Sequence, residues 1–233
     1  MTKRSPVVLV TGVSSGIGRA VADAFAAKGF EVFGTSRNPQ RTAPVAGVEL
    51  VQLDVTDDAS VAAAVSTVVQ RAGRIDIVVN NAGVGVFGAA EETSVAQAQQ
   101  LFDTNFFGAL RVAQTMLPLL QKSSAGRIVN ISSGLGSLTF NSDPAWTGRD
   151  VKLIGYNSSK AALNMLTVHL AYELCGTKIK VNSANPGYTK TDLNDNQGTQ
   201  PVEVGAIEAT RLALLDDNGP TGQSFSKDGP DPW

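Results

Sequence analysis

The sequence predicts an α/β fold in which helices cover both faces of a doubly wound parallel sheet of about seven strands. Short apolar runs rich in Val and Ile recur along the chain, and such nearly continuous hydrophobicity suits strands that are buried on both faces. Segments with helical spacing lie between the runs. Because parallel strands need crossover helices, this alternation favours the doubly wound arrangement. The predicted strands are residues 7–10, 31–34, 48–53, 75–79, 127–131 and 179–184, with the last near 223–226.

Length and composition favour one domain that spans residues 1–233. The chain shows no internal repeat, low-complexity run or long linker. Its 19 Lys and Arg balance 21 Asp and Glu, so charge does not indicate nucleic acid or an anionic membrane as a partner. Cys175, the only cysteine, is interpreted as a half-buried helical thiol, and no metal site is expected. The first apolar run is too short for a signal-peptide core or a membrane span, which predicts a cytoplasmic protein.

Two segments break the alternation of strands and helices. Residues 136–153 contain Pro144 and Gly148 and mix polar with apolar side chains, which predicts a long surface excursion before the next helix. Residues 191–201 are polar and rich in Asn, which is typical of a mobile flap over a cleft.

A glycine-rich turn follows the first predicted strand and opens a helix. Its sequence is Thr11-Gly12-Val13-Ser14-Ser15-Gly16-Ile17-Gly18. Glycine lets backbone amides approach a pyrophosphate closely, and the helix N-terminus adds partial positive charge. The turn is therefore a candidate phosphate site, although a purely structural turn would have the same composition. Its glycine spacing differs from GxGxxG.

Tyr156 and Lys160 form a candidate proton-transfer centre. They are four residues apart, so on a helix they share one face and the ammonium lies beside the phenol. A neighbouring positive charge eases the loss of a phenolic proton. Alone, this spacing is also common on helix surfaces, and its meaning depends on the motifs that precede it.

Five motifs occur along the chain in a fixed order. They are the TGxxxGxG turn at Thr11, Asn80-Asn81-Ala82-Gly83 after the fourth strand, a serine after the fifth, the Tyr156 and Lys160 pair, and Pro186-Gly187 after the sixth. Together they resemble the short-chain dehydrogenase/reductase family, in its short single-domain branch, over nearly the whole chain. The resemblance implies a Rossmann-like fold, a nicotinamide cofactor, the reversible reduction of a ketone or aldehyde to an alcohol, and a homodimer or homotetramer.

The end of the second strand indicates which nicotinamide cofactor is used. Ser36 occupies the position where an acidic residue would bind the adenosine ribose hydroxyls, and Arg37 follows it. A guanidinium binds a 2′-phosphate through paired hydrogen bonds, so NADP(H) is predicted rather than NAD(H). Arg37 as a solvated surface cation, in an NAD-dependent enzyme, is the alternative. Arg41, in the loop that follows, is a second candidate contact.

The resemblance also implies contacts along the rest of the cofactor. Asp54 would accept a hydrogen bond from the adenine amino group beside the Val55 backbone, or instead cap the helix that begins near Asp57. Thr189 would contact the carboxamide and Thr191 the pyrophosphate, and these two roles are interchangeable from sequence. The predicted cofactor set is Gly12, Ser14, Ser15, Gly16, Ile17, Gly18, Ser36, Arg37, Asp54, Val55, Asn81, Ala82, Gly83, Tyr156, Lys160, Pro186, Gly187, Thr189 and Thr191.

The family's mechanism implies that Asn105, Ser133, Tyr156 and Lys160 are the catalytic residues. Tyr156 would donate a proton to the substrate oxygen, while Lys160 lowers its pKa and binds the nicotinamide ribose. Ser133 would hydrogen-bond the carbonyl oxygen, with Ser132 as the alternative. Asn105 would hold a water that links Lys160 to solvent through an interrupted helix, or would be a structural polar residue.

The substrate, the product stereochemistry and the physiological direction are not predicted. Ser133 and Tyr156 are 23 positions apart, more than in the commonest family members, because of the excursion at 136–153. Its large apolar side chains would wall a hydrophobic pocket or pack on a neighbouring subunit; they are Leu138, Phe140 and Trp146. A non-catalytic NADPH sensor is the alternative from another functional class. Such proteins often lose the proton donor or its lysine, and this chain has both.

An oligomer would use the helices predicted at 104–120 and 156–174, whose Ala, Leu, Met and Val content fits burial. Packing against the protein's own sheet would explain much of the same composition. His169 is interpreted as a surface or interface residue, and Trp233 as an anchor of the tail across subunits.

Overall fold

An eight-stranded sheet forms the centre of the computed structural model, which describes residues 5–233. The strands lie in the order β3-β2-β1-β4-β5-β6-β7-β8; the first seven are parallel, and β8 is antiparallel to β7. They are β1 Val7–Val10, β2 Glu31–Ser36, β3 Val48–Gln52, β4 Ile77–Asn80, β5 Arg127–Ile131, β6 Lys180–Ala184, β7 Ser224–Ser226 and β8 Gly229–Asp231. The predicted fold class is confirmed, whereas the expected number of strands omitted β8. Residues 1–4 of the predicted 1–233 domain lie outside the described residues.

Helices cover both faces of the sheet. They are α1 Gly16–Ala27, α2 Asp58–Ala72, α3 Val95–Phe102, α4 Gly108–Leu120, α5 Leu138–Ser142, α6 Ile154–Glu173 and α7 Val202–Ala213. Buried residues of α1 and α7 share one core, and those of α2, α4 and α6 share another. None of the helices in the described part of the chain is long and apolar enough to cross a membrane.

The continuous hydrophobicity of the strands follows from these two cores. In β1, Val7 and Leu9 point into one core while Val8 and Val10 point into the other, and all four are fully buried. Side chains alternate between the faces of a strand, so a strand covered on both faces has no position left for an exposed polar residue. This is why the apolar runs located β1 and β5 at their observed bounds.

A chain of buried polar side chains crosses the sheet near the carboxyl ends of its central strands. Asn80 Nδ2 donates to Asn130 Oδ1 at 2.9 Å, and Asn130 Nδ2 donates to Thr167 Oγ1 at 2.8 Å. The Thr167 hydroxyl lies 2.9 Å from that of Ser183. The bonds connect β4, β5 and β6 with α6. They fix the position of α6 on the sheet, because any displacement would leave buried polar atoms without partners.

The excursion at 136–153 is largely exposed, and it contains α5 and a 3₁₀ turn at Thr147–Asp150. The C-terminal tail lies on this excursion of its own chain, because the Trp233 carbonyl oxygen accepts a hydrogen bond from the Thr139 amide at 2.9 Å. The Trp233 backbone thus binds its own chain, and the expectation that Trp233 anchors the tail across subunits stays a prediction. Cys175 is exposed in the turn that follows α6, so its prediction as a half-buried helical thiol is wrong.

Replacing Asn130 by Ala is expected to lower the free energy of unfolding by about 2–4 kcal/mol. Asn130 is fully buried, and its loss leaves the Asn80 amide without an acceptor in the interior and removes one of the hydrogen bonds of Thr167. Urea denaturation measures the change. Asn218→Ala, at an exposed asparagine after α7, is the matched control and should change stability by less than about 0.5 kcal/mol. Equal effects of the two substitutions would contradict the role of the polar chain.

Candidate active site

The sequence-predicted site residues lie where the parallel strands end. The turn after β1, the ends of β2 and β3 and the segments after β4, β5 and β6 all reach the carboxyl edge of the sheet. In open parallel sheets this edge is where ligands bind.

The glycine turn is held open by the absence of side chains and by Asn81. Gly12 and Gly16 have φ angles of +72° and +64°, which disfavour other residues. A Cβ atom on Gly18 would collide with the Asn81 amide and the Gly12 carbonyl oxygen. Asn81 Nδ2 donates to the carbonyl oxygens of Thr11 at 2.9 Å and of Gly12 at 2.8 Å. The side chain of Asn81 therefore braces the turn, a role that the sequence did not reveal.

The end of β2 presents Arg37 to solvent beside a closed polar loop. Ser36 is buried, and its hydroxyl accepts hydrogen bonds from the Asn38 amide at 3.2 Å and from the Thr42 hydroxyl at 2.8 Å. Arg37 and Arg41 are both exposed. The Ser36 hydroxyl is thus hydrogen-bonded within its own loop, and the guanidinium of the next residue, Arg37, lies in solvent.

Asp54 lies two residues after the end of β3, close enough to Arg37 for their charges to interact. Hydrogen bonds from the Thr56 amide and hydroxyl hold the pKa of Asp54 below its ordinary value, and the charge of Arg37 acts in the same direction. The helix α2 is capped by Asp57, whose carboxylate accepts from the amides of Ala59 and Ser60. The alternative that Asp54 caps α2 is therefore excluded.

Tyr156 and Lys160 lie one turn apart on α6, as predicted. The Lys160 Nζ atom is 5.6 Å from the centre of the Tyr156 ring. Lys160 is 5 % exposed, and its ammonium donates to the Ile131 carbonyl oxygen at 2.7 Å. The end of β5 therefore holds the lysine beside the phenol.

Burial controls the protonation of this pair. It raises the pKa of Tyr156 to about 12, and a hydrogen bond with Ser133 offsets part of the rise. It lowers the pKa of Lys160 to about 8. The expectation that Lys160 lowers the pKa of Tyr156 is not met in this arrangement, because loss of hydration raises that pKa and the hydrogen bond that partly offsets the rise comes from Ser133. Both side chains are shifted toward their uncharged forms.

The two serines after β5 have different surroundings. Ser132 is buried, and its hydroxyl donates to Asn164 Oδ1 at 2.5 Å. The Ser133 hydroxyl accepts from the Leu135 amide at 3.2 Å and interacts with Tyr156. Of the two, Ser133 is therefore the one placed at the phenol.

Asn105 sits in a π-helical interruption, Asp103–Phe107, between α3 and α4. It is buried, and its Oδ1 accepts from the Val84 amide at 2.9 Å. Its Nδ2 donates to the Val84 carbonyl oxygen and to the Ser159 hydroxyl, both at 3.0 Å. The predicted interruption is present, and the side chain connects the segment after β4 with α6. A Cβ atom on Gly83 would lie 3.3 Å from Asn105 Oδ1 and 3.8 Å from Lys160 Nζ, so these groups are neighbours.

The segment after β6 closes on itself and on the glycine turn. The Thr189 hydroxyl donates to the Pro186 carbonyl oxygen at 3.0 Å and accepts from Gln200 Nε2 at 3.1 Å. The Thr191 methyl group would lie 3.4 Å from a Cβ atom on Gly16. Thr191 is thus beside the candidate phosphate turn. This position favours the assignment of Thr191 to the pyrophosphate and of Thr189 to the carboxamide.

Several residues near the site escaped the sequence analysis. Gln200 binds Thr189, and Asn164 binds Ser132. Asn185 and Asp231 form a hydrogen bond next to the Pro186-Gly187 turn. Asn185 could have been noticed from its place directly before that turn, whereas Asp231 lies in a tail without any motif.

Known proteins resemble this chain in sequence and in fold. The family model for short chain dehydrogenases matches residues 6–201. A 3-ketodihydrosphingosine reductase of Bacteroides thetaiotaomicron is 33 % identical over 82 % of this chain and 66 % of that protein. The (-)-isopiperitenone reductase of Mentha piperita is 32 % identical over 94 % of this chain and 96 % of that protein. The NADPH-bound carbonyl reductase from chicken fatty liver superposes with a TM-score of 0.87 at 26 % identity, covering 99 % of this chain and 100 % of that chain.

Lys160→Met is expected to raise the free energy of unfolding at pH 7 by about 1–3 kcal/mol. The folded pKa of about 8 lies below the ordinary value of 10.5, so near neutrality the unfolded chain holds this proton more favourably. The penalty is complete below pH 8 and disappears as the pH rises toward 10.5. Wild type and variant should therefore converge in urea denaturation across that range.

Lys152→Met, at an exposed lysine just before α6, is the control for this experiment. It should leave stability unchanged within about 0.5 kcal/mol at every pH. A stabilisation by Lys160→Met that does not depend on pH would contradict the assignment of a buried, depressed ammonium.

Proposed function

The chain belongs to the short-chain dehydrogenase/reductase family and is an oxidoreductase of that class, and we propose that it is an NADPH-dependent reductase of ketones or aldehydes. The observation that carries the proposal is the grouping of Ser133, Tyr156 and Lys160 at the carboxyl edge of the sheet. A phenol with a hydroxyl and an ammonium as neighbours is suited to deliver a proton to a carbonyl oxygen.

The residues at this edge fit a dinucleotide phosphate. In the glycine turn, Gly12, Gly16 and Gly18 occupy positions where a Cβ would be strained or would collide, and at these positions no side chain limits the approach of a phosphate to the backbone. Arg37 is exposed and free to turn toward a 2′-phosphate. When bound, NADPH supplies the hydride that adds to the carbonyl carbon.

In the proposed reaction Tyr156 gives its proton to the substrate oxygen. The raised pKa of Tyr156, about 12, keeps the group a phenol near neutrality, which is the form that reduction requires. Ser133 would donate a hydrogen bond to the same oxygen as negative charge develops on it. The ammonium of Lys160 would stabilise the phenolate that remains after transfer. Asn105, next to Lys160 at the π-helical turn, lies where a water could return the proton.

The remaining cofactor contacts are proposed for residues along the same edge. The adenosine end would lie near Arg37, Asp54 and Val55, and the nicotinamide end near Pro186, Gly187 and the Thr189 amide. NAD(H) use is the nearest alternative, and the substitution at Arg37 described below separates the two.

A homodimer or homotetramer in the cytoplasm completes the proposal. On α6, Met165 is 57 % and Tyr172 is 78 % exposed, and Phe107 before α4 is 45 % exposed. Large apolar side chains on α6 and on the π-helical turn before α4 suit a surface that a second copy would cover.

Tyr156→Phe is expected to lower NADPH oxidation with a responsive ketone or aldehyde by about 100-fold to 10,000-fold, because the proton donor is lost. The dissociation constant for NADPH should stay within about twofold, since the ring itself remains. Tyr172→Phe, at the exposed tyrosine of the same helix, is the matched control and should leave turnover unchanged.

A chemically diverse panel of ketones and aldehydes provides the substrates for this test. If the wild-type protein binds NADPH yet oxidises none of it across the panel, the sensor alternative replaces the proposed activity. If Tyr156→Phe retains full turnover, Tyr156 is not the proton donor.

Arg37→Asp is expected to lower the ratio of kcat/KM for NADPH to that for NADH by at least about tenfold, because a carboxylate repels the 2′-phosphate that the guanidinium binds. Arg41→Asp tests the second arginine of the loop, and Arg149→Asp, in the distant excursion, is the control. Survival of the NADPH preference in Arg37→Asp would show that another residue selects the cofactor.

A further inference from the structure

The C-terminal strand places a carboxylate beside the candidate active site. Asp231 closes β8, and its Oδ2 atom accepts a hydrogen bond from Asn185 Nδ2 at 2.7 Å. Its Oδ1 atom accepts from the Ser226 hydroxyl at 2.9 Å. The first bond joins the tail to the residue that follows β6, and the second holds the carboxylate within the hairpin of β7 and β8.

Asn185 uses its amide to shape the turn that follows it. Its Oδ1 atom accepts from the Gly187 amide at 3.1 Å, and its own backbone amide donates to the Phe225 carbonyl oxygen at 2.7 Å. Gly187 has a φ angle of +71°, so the chain turns sharply here. An asparagine amide has a donor end and an acceptor end. A carboxylate at the donor end therefore forces the acceptor end toward Gly187.

The same amide also lies against the segment that carries Ser133. A Cβ atom on Gly134 would be 3.2 Å from Asn185 Nδ2. Asn185 thus stands between the turn after β5, which is proposed to hold the substrate oxygen, and the turn after β6, which is proposed to hold the nicotinamide. The orientation of the Asn185 amide therefore affects both turns.

We propose that Asp231 is a positioning residue for the nicotinamide end of the active site, acting through the amide of Asn185. The inference rests on the proposed function, since it assigns the Pro186-Gly187 turn to the nicotinamide. The tail is suited to this role because the chain is fixed both before and after Asp231. β8 pairs with β7, and the Trp233 carbonyl oxygen binds the Thr139 amide beyond Asp231.

Asp231→Ala removes the carboxylate and frees the Asn185 amide to rotate. We expect kcat/KM for NADPH to fall by at least about tenfold, because a charge-assisted hydrogen bond that orders the turn is lost. Binding of adenosine 2′,5′-bisphosphate, which contains only the adenosine half of the cofactor, should change by less than about twofold, because that half lies at the other end of the site. The split between the two ligands is a readout that general destabilisation would not produce.

Two further variants make the test specific. Asp231→Asn keeps an acceptor for Asn185 and should retain activity within about threefold, since the Ser226 hydroxyl can accept as well as donate. Asp228→Ala removes an exposed carboxylate of the same hairpin that binds Lys227, and it should have no effect. Asn185→Ala should reproduce the loss, and combining it with Asp231→Ala should add little, because both act through one bond.

Wild-type kinetics in Asp231→Ala, or a loss of adenosine 2′,5′-bisphosphate binding as large as the loss in kcat/KM for NADPH, would overturn the inference. The first result would show that the carboxylate does not order the site, and the second that the tail only maintains the fold. A wild-type protein that oxidises no NADPH would instead refute the proposed function, so the two failures are distinguishable.

Discussion

The hydrogen bond from the Lys160 ammonium to the Ile131 carbonyl oxygen is the interaction on which the site depends. An ammonium that is 5 % exposed has lost most of its hydration, and it must be compensated inside the protein. The compensation comes from the last residue of β5, two positions before Ser133, so the bond that accommodates the charge also fixes α6 against that strand. A Cβ atom on Gly136 would lie 2.8 Å from Lys160 Cβ, which shows how closely the chain after Ser133 passes. The phenol and the serine meet because the lysine is held.

Much of this arrangement could be predicted from the sequence, and the exceptions have physical causes. A strand that is buried on both faces has a continuous run of Val and Ile, so the central strands could be located from the sequence. β8 was missed because Gly229-Pro230-Asp231 has no strand propensity, and such a segment pairs only at an edge. The shift in the pKa of Tyr156 was expected in the wrong direction because it depends on a balance between burial and charge. Sequence spacing indicates which groups are neighbours but not how much water surrounds them.

The polar chain from Asn80 to Ser183 shows the cost in stability of placing the candidate site at the edge of a buried sheet. Polar side chains at these positions lie under the site, where apolar residues would pack with no need for partners. Within residues 5–233, Asn80 Oδ1 accepts no hydrogen bond, so the chain is not fully satisfied. Such buried polar groups specify one position of α6, because every alternative position would break several bonds. In the same way Asn105 and Asn81 use their amides to brace the segments after β4 and β1. At this edge of the sheet the buried polar residues lower the stability of the fold but define the geometry of the candidate site.

The long excursion between Ser133 and Tyr156 leaves that geometry intact because it has its own packing. The rings of Phe140 and Trp146 stack with centres 5.2 Å apart and planes at 15°, and the Trp146 ring fits against Gly134 and Gly148. One end of the excursion is fixed by Gly136 against Lys160, and the other enters α6 directly before Tyr156. Extra residues between two anchored ends cost little entropy when the anchors themselves do not move. The position of Tyr156 and the side chains of the excursion are therefore separable, because those side chains can differ in size without displacing the phenol.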